Sequence, residues 1–177
     1  AIPTIVSAKT WKLMYEYSYG IINYLIMQTG LSDHKINWLG TEVSAFFALI
    51  IADVWKTTPF VVIILLAGLQ VIDHDLYKQA KIDGTKLFRR FYKITLPLLR
   101  PVLIVAIIFR TIDSIRVFDI VYVITGGGPA SSTKTLSFFG YEFFSNDNFG
   151  MGSSISIITF IISFAFTLIY LYAGRFK

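Results

Sequence analysis

The chain contains no cysteine. That excludes disulfide frameworks, cysteine zinc sites and thiol nucleophiles. Its two histidines, His34 and His74, leave little room for a histidine metal site. Charge is also scarce, at 15% of 177 residues, where a soluble domain usually carries about 25%. Hydrophobic residues fill 55% of the sequence. An ordinary water-soluble domain and a disordered chain are both excluded by these proportions. No Ser/His/Asp cluster or histidine pair suggests catalysis. Residues 1–15 lack the basic start and small-residue cleavage site of a signal peptide. The continuous apolar run at 155–162 is unlike the alternating strands of a transmembrane β-barrel.

What is abundant is apolar sequence of membrane-spanning length, which takes about 20 residues. Residues 153–173 carry no charge and are followed by Arg175 and Lys177. Residues 43–70 are interrupted by Asp53, Lys56 and Pro59. Residues 102–124 are interrupted by Arg110, Asp113, Arg116 and Asp119. Residues 1–15 read as the end of an earlier helix. The expected fold is therefore an all-α membrane protein, a polytopic helical bundle forming one domain over residues 1–177. The segment 71–101 holds Lys78, Lys81, Lys86, Arg89, Arg90, Lys93 and Arg100, whereas the loops 16–42 and 125–152 hold only Lys35 and Lys134. Basic loops face the cytoplasm, so 71–101 and the C-terminus are expected inside and the other two loops outside. This parity is consistent with three spans.

Residues 75–100 have an organisation of their own. Leu76, Ala80, Leu87 and Phe91 recur at helical spacing, with Asp83-Gly84 at a break. The pattern predicts two short helices joined at Gly84. Pro97 and Pro101 then mark re-entry into the bilayer, since proline suits a helix start. Two readings stay open: a basic amphipathic linker lying on anionic lipid, or a compact knob with apolar anchors inside a polar rim. Nucleic-acid binding fits poorly with a short loop tethered between two spans.

Arg110, Asp113, Arg116 and Asp119 recur every three residues with alternating sign. On one continuous helix each arginine can pair with an aspartate, and the ladder from Arg110 to Asp119 climbs roughly 13 Å. Charges at such depth face a bundle interior or a wet cavity. One reading makes them, with Trp55, Thr57, Thr58 and Tyr122, the lining of a substrate path. Aromatic faces stack on sugar rings, and hydroxyl and charged groups hydrogen-bond to a polyol. The other reading makes them static interhelical pairs, the expectation for Arg110 with Asp113. A proton or ion relay through Asp53, Asp113 and Asp119 is a third possibility. Gly126-Gly127-Gly128-Pro129 lacks the Lys-Ser/Thr of a phosphate-binding loop and reads as a flexible turn before an external segment at 133–144.

The segment Lys78-Gln79-Ala80, Gly84, Ile94-Thr95-Leu96-Pro97 resembles the EAA loop of permease subunits in binding-protein-dependent ABC importers. Asp83 before the glycine and Phe91 before the isoleucine fit as well. The spacing agrees throughout, but Lys78 stands where the family has glutamate and Gln79 where it has alanine. Gly20-Ile21-Ile22-Asn23, Ile36-Asn37-Trp38, Asp53-Val54-Trp55-Lys56-Thr57-Thr58-Pro59-Phe60 and Val117-Phe118-Asp119 resemble the carbohydrate branch, of the maltose and glycerol-phosphate type. Such subunits usually have six or more spans, so the chain resembles a C-terminal portion, or a truncated non-transporting remnant.

The resemblance implies a coupling loop seated in a cytoplasmic ATPase, with Lys78, Ala80, Asp83, Gly84, Leu87, Phe88, Arg89, Phe91 and Pro97 as its residues. It implies substrate contacts near Trp55, Lys56, Thr57 and Phe60 on one span and Arg116, Asp119 and Tyr122 on another. The implied partners are a second permease subunit, two ATPase subunits that bind ATP and Mg, and an extracytoplasmic substrate-binding protein. The implied cargo is a sugar or polyol, carried across a prokaryotic cytoplasmic membrane. The chain itself would bind no cofactor or metal and catalyse no reaction.

Overall fold

A computed structural model describes residues 3–175. Lys177 lies outside them. Among the described residues every regular element is helical: α1 (Thr4–Met14), α2 (Ile21–Gln28), α3 (Glu42–Gln70), α4 (His74–Ile82), α5 (Leu87–Arg90), a π turn (Phe91–Thr95), α6 (Leu96–Ile115), α7 (Asp119–Ile124), α8 (Leu136–Ser145) and α9 (Phe149–Arg175). Three helices are long and apolar enough to cross a membrane: Glu42–Gln70, Leu87–Ile115 and Phe149–Ala173. Little of their apolar surface is buried within the chain, the condition of a helix that faces lipid or other helices.

Helix α3 starts with a reciprocal cap. The Ser44 N–H donates to Thr41 Oγ1 at 3.2 Å and the Thr41 N–H to Ser44 Oγ at 3.3 Å, which satisfies donors that the first turn leaves orphaned. Glu42 adds a carboxylate to that turn, where the helix dipole favours it. Pro59 sits inside the helix and removes the N–H that would bond back to the Trp55 carbonyl. Nearby, the Thr57 hydroxyl donates to the Asp53 carbonyl at 2.7 Å.

Two expectations about the following helices change. Pro97 and Pro101 do not start a helix. One unbroken helical run begins at Leu87 and passes through both to Ile115. The π turn Phe91–Thr95 ends one residue short of Pro97, with Leu96 between them, where a wider turn accommodates a missing backbone donor. The expected span 102–124 is also not one helix. It stops at Ile115, the chain turns through Arg116–Phe118, and α7 begins at Asp119. The Phe118 backbone (φ −134°, ψ −60°) is non-helical. Asp119 supplies the acid in the first turn of α7, a position that favours starting a helix over continuing one.

The chain packs as two compact units. The first takes the residues up to Thr57 together with Ser114–Ile162. Its core joins Ala8 and Tyr15 to Ala48, Leu49 and Ala52 of α3, Ile120, Val121 and Ile124 of α7, and Phe138 of α8. Ala8, Ala45, Ala48 and Ala52 are completely covered. Small residues at a spacing of three and four let backbones approach closely. Asn23, also buried, braces the loop after α2. Its Oδ1 accepts from the Ile36 N–H and from Trp38 Nε1, both at 3.1 Å, and its Nδ2 donates to the Ile36 carbonyl at 3.0 Å.

The second unit takes Thr58–Asp113 and the residues from Ser163 onward. A Cβ placed on Gly68 would come within 2.8 Å of Leu99 and 2.9 Å of Val102, so α3 and α6 touch there through a glycine. Phe60 meets Phe109 edge-on at 6.2 Å, and the Thr111 hydroxyl donates to the Tyr170 oxygen at 3.3 Å.

Candidate functional site

The residues expected to couple to a partner lie in the second unit, on α4, the turn after it, α5, the π turn and the start of α6. Asp73 caps α4 by accepting the Asp75 N–H at 2.9 Å. The helix ends in a Schellman motif. Gly84 adopts φ +66°, its N–H donates to Lys81 O at 3.1 Å, and the Thr85 N–H reaches Ala80 O at 3.0 Å. A residue with a Cβ pays a steric penalty at such a φ, which accounts for the glycine. Ala80 is buried on the inner face of α4. The Tyr77 hydroxyl and Thr95 Oγ1 hydrogen-bond at 2.9 Å and tie α4 to the π turn.

The outer surface of this element is apolar at its tip and cationic around it. Ile82, Leu87 and Phe88 are 85%, 74% and 81% exposed. Lys78, Lys81, Lys86 and Arg89 are exposed beside them. Lys78 Nζ donates to Asp75 Oδ1 at 2.7 Å. Asp83 is the C-cap of α4, Phe91 opens the π turn with its ring edge-on to Tyr92 at 5.3 Å, and Pro97 lies exposed inside α6. The motif thus gathers Leu87 and Phe88 at the tip, while Ala80 and Thr95 point inward as packing. Ile82 was not singled out from the sequence, although an apolar residue directly before Asp-Gly is itself a signal. Tyr77 and Thr95 carry no such signal, because their pairing spans 18 positions.

The residues expected to line a substrate path divide between the units. In the first unit, Trp55 is half-exposed and meets Trp11 edge-on at 5.9 Å. Trp11 leans on Tyr15 at 5.3 Å, and Tyr15 on Trp38 at 5.9 Å. Lys56 is half-buried. The Thr57 hydroxyl donates to its own helix and offers a substrate only its acceptor capacity. Tyr122 stacks on Phe118 at 5.3 Å and meets Tyr141 of α8 at 5.4 Å. Phe118 also lies 4.9 Å from Tyr141 and 6.1 Å from Phe138. Tyr122 hydrogen-bonds to the Tyr141 phenol and pushes its pKa above the ordinary tyrosine value. Phe118 and Tyr141 therefore join Tyr122 in one aromatic patch. Phe118 belongs to the stretch that resembles the carbohydrate branch, although it was not itself named as a site residue, and Tyr141 was missed because α8 reaches Tyr122 only through tertiary packing.

The charge ladder does not survive as drawn. Arg110 and Asp113 share α6, in the second unit, with Arg110 half-buried and Asp113 exposed. Arg116 lies exposed in the turn and Asp119 half-buried at the start of α7, both in the first unit. Side-chain adjacency at a spacing of three requires one helix, so the alternating order cannot extend past Ile115. Phe60 sits in the second unit against Phe109.

The glycine-rich turn is internally bonded. Thr125 and Thr133 hydroxyls meet at 2.8 Å, Thr133 donates to Gly128 O at 2.8 Å, and Thr135 donates to Val117 O at 2.7 Å. Lys134 reaches both Glu142 oxygens, at 2.6 and 2.9 Å. Among the described residues, no group of three His, Cys, Asp or Glu is placed to hold a metal ion.

The chain matches, over residues 1–176, the model of the family described as binding-protein-dependent transport system inner membrane component. It is 57% identical over 177 residues to the trehalose/maltose transport system permease protein of Thermococcus litoralis, covering 100% of this chain and 59% of that protein. It is 38% identical over 178 residues to the sulfoquinovosyl glycerol transport system permease protein of Agrobacterium fabrum, covering 100% of this chain and 57% of that protein. The chain thus spans less than two thirds of the length of these relatives. A crystal structure of a bacterial ABC transporter that imports the acidic polysaccharide alginate shares the fold. Its TM-score is 0.87 at 20% identity, over 98% of this chain and 61% of that one.

Proposed function

Because the chain belongs to the binding-protein-dependent transport system inner membrane components, we propose that it is part of the membrane permease of an ATP-driven ABC importer for a sugar or related polyol. It works in the cytoplasmic membrane of a prokaryote, with residues 71–101 and the C-terminus inside. It assembles with a second permease subunit, two ATPase subunits and an extracytoplasmic substrate-binding protein. ATP and Mg are bound by the ATPases. Trp55, Lys56, Thr57, Phe60, Arg116, Asp119 and Tyr122 contribute to the cargo's path.

The observation that carries the reading is the knob at residues 74–90. An exposed apolar tip on a glycine-capped helix, latched at Tyr77–Thr95 to the base of a long apolar helix, suits a rigid element that must transmit the closing of an ATPase to a membrane helix. The similarity to a trehalose/maltose permease supports the cargo class. The break at 116–118 counts against a relay of charges along one helix.

The test is a set of single cysteines at 82, 84, 87, 88 and 91 in the native full-length complex, cross-linked to the ATPase that co-purifies with it. This chain contributes no cysteine of its own. ATP-sensitive cross-links at positions 84 and 88 are the expected result. A complex in which none of the five links to the ATPase has no coupling knob here.

A further inference from the structure

The cations around the knob exceed its carboxylates. Between residues 73 and 93 stand Lys78, Lys81, Lys86, Arg89, Arg90 and Lys93, against Asp73, Asp75 and Asp83. Two of those carboxylates are engaged: Asp73 accepts the Asp75 N–H, and Asp75 holds Lys78. The Lys78–Asp75 pair is open to water, with side chains 71% and 67% exposed. Such a pair contributes little and exchanges readily.

We propose that the surface receiving the knob is an acidic cleft with an apolar floor on the ATPase partner, and that one of its carboxylates takes Lys78 from Asp75 as the knob seats. The inference rests on the coupling reading above and adds the partner's chemistry to it. Opposite charge around an apolar anchor sets register and approach rate, and the exposed Ile82, Leu87 and Phe88 supply the anchor. A helix lying on anionic lipid spreads its apolar residues along one face. Here the three most exposed of them, Ile82, Leu87 and Phe88, crowd the turn between two short helices, where α4 has nine residues and α5 four. Leu76, Phe91 and Tyr92 are less exposed on either side, and the inward face of α4 is already occupied by Ala80 and the Tyr77–Thr95 bond. That shape is a convex tip, fitted to a cleft.

The experiment measures association of the ATPase subunit with the native full-length permease complex for wild type, K78E, K78Q, D75N and F88D, between low and high salt. K78E, which places at 78 the glutamate of the family pattern, is expected to weaken association about tenfold and K78Q less, with D75N tightening it. Rising salt is expected to weaken the wild type and to narrow these differences. If K78E associates as well as wild type, or better, while F88D loses the partner, docking stands and the acidic cleft is wrong. If neither F88D nor K78E alters association, the coupling reading fails as well. If K78E keeps the ATPase but loses adhesion to phosphatidylglycerol vesicles, the patch serves lipid and the proposal is overturned.

Discussion

The knob and the core of the first unit treat the same residue types in opposite ways. Around Asn23 and Tyr15, aromatic rings and polar groups satisfy one another inside the chain. The Tyr15 hydroxyl donates to Ala48 O at 3.0 Å, and Asn23 serves Ile36 and Trp38 together. In the knob, Leu87 and Phe88 stay exposed, while Ala80 is buried and Tyr77 and Thr95 hydrogen-bond to each other. The first arrangement is complete without a partner. The second leaves its largest apolar side chains uncovered, as a docking element must before docking. Damage to the first is expected to show as lost stability, and damage to the second as lost coupling in a folded chain.

The sharpest separation comes from L87D/F88D. Both side chains are exposed, so helicity and membrane insertion are expected to be unchanged. Transport-coupled ATP hydrolysis in the native complex should fall by about a hundredfold, the order of a lost interface hot spot. Unfolding of this variant under the wild-type conditions would break the comparison. N23A is the mirror case. It strands the Ile36 and Trp38 donors, at about 3 kcal/mol in total, and thermal unfolding in detergent should register a lower midpoint than any knob variant gives. Y77F removes the bond to Thr95 while keeping the ring, at about 1 kcal/mol. Coupled hydrolysis should drop a few-fold with ATPase association retained, which would place Tyr77 in transmission and not in docking.

The smallest effect is local. Y122F removes the partner that raises the Tyr141 pKa. Deprotonation of Tyr141, followed by NMR of the labelled ring, should then begin at lower pH than in wild type. The sign follows from the direction of the shift. A raised value means that the neutral phenol is favoured in the native fold, and that advantage is lost as pH rises through it. An unchanged titration would separate Tyr141 from the aromatic patch.

Much of the membrane-facing design was legible in the sequence. Residues 43–70 and 153–173 are apolar at the length a bilayer requires, and α3 and α9 cover both. The turn at Gly84 was legible because glycine is the residue that adopts such a φ without steric penalty. The end of α6 at Ile115 was not. Residues 102–124 are apolar enough to read as continuous, and the break is made by the Phe118 backbone and by the packing of Ile120, Val121 and Ile124 into the first unit's core. The passage through Pro97 and Pro101 was hidden for the opposite reason. Proline predicts a boundary locally, and the π turn that absorbs it has no sequence signature of its own. Of the aromatic patch, Tyr122 was the residue named from the sequence; Phe118 lies four positions before it, and Tyr141 finds it only across the glycine-rich turn.

The π turn sets a phase. Each residue of an α-helix advances the chain by about 100°, and a π turn holds one residue more than its α counterpart. Deleting one residue while converting Phe91–Thr95 to α geometry would leave the segment before it nearly in place, whereas tightening the turn to α geometry with every residue kept would swing everything before it by about that angle. The tip bearing Leu87 and Phe88 would then point elsewhere, with its own sequence untouched. The coupling proposed for this chain is thus a matter of clocking as well as of contact, and a single surplus residue holds the dial.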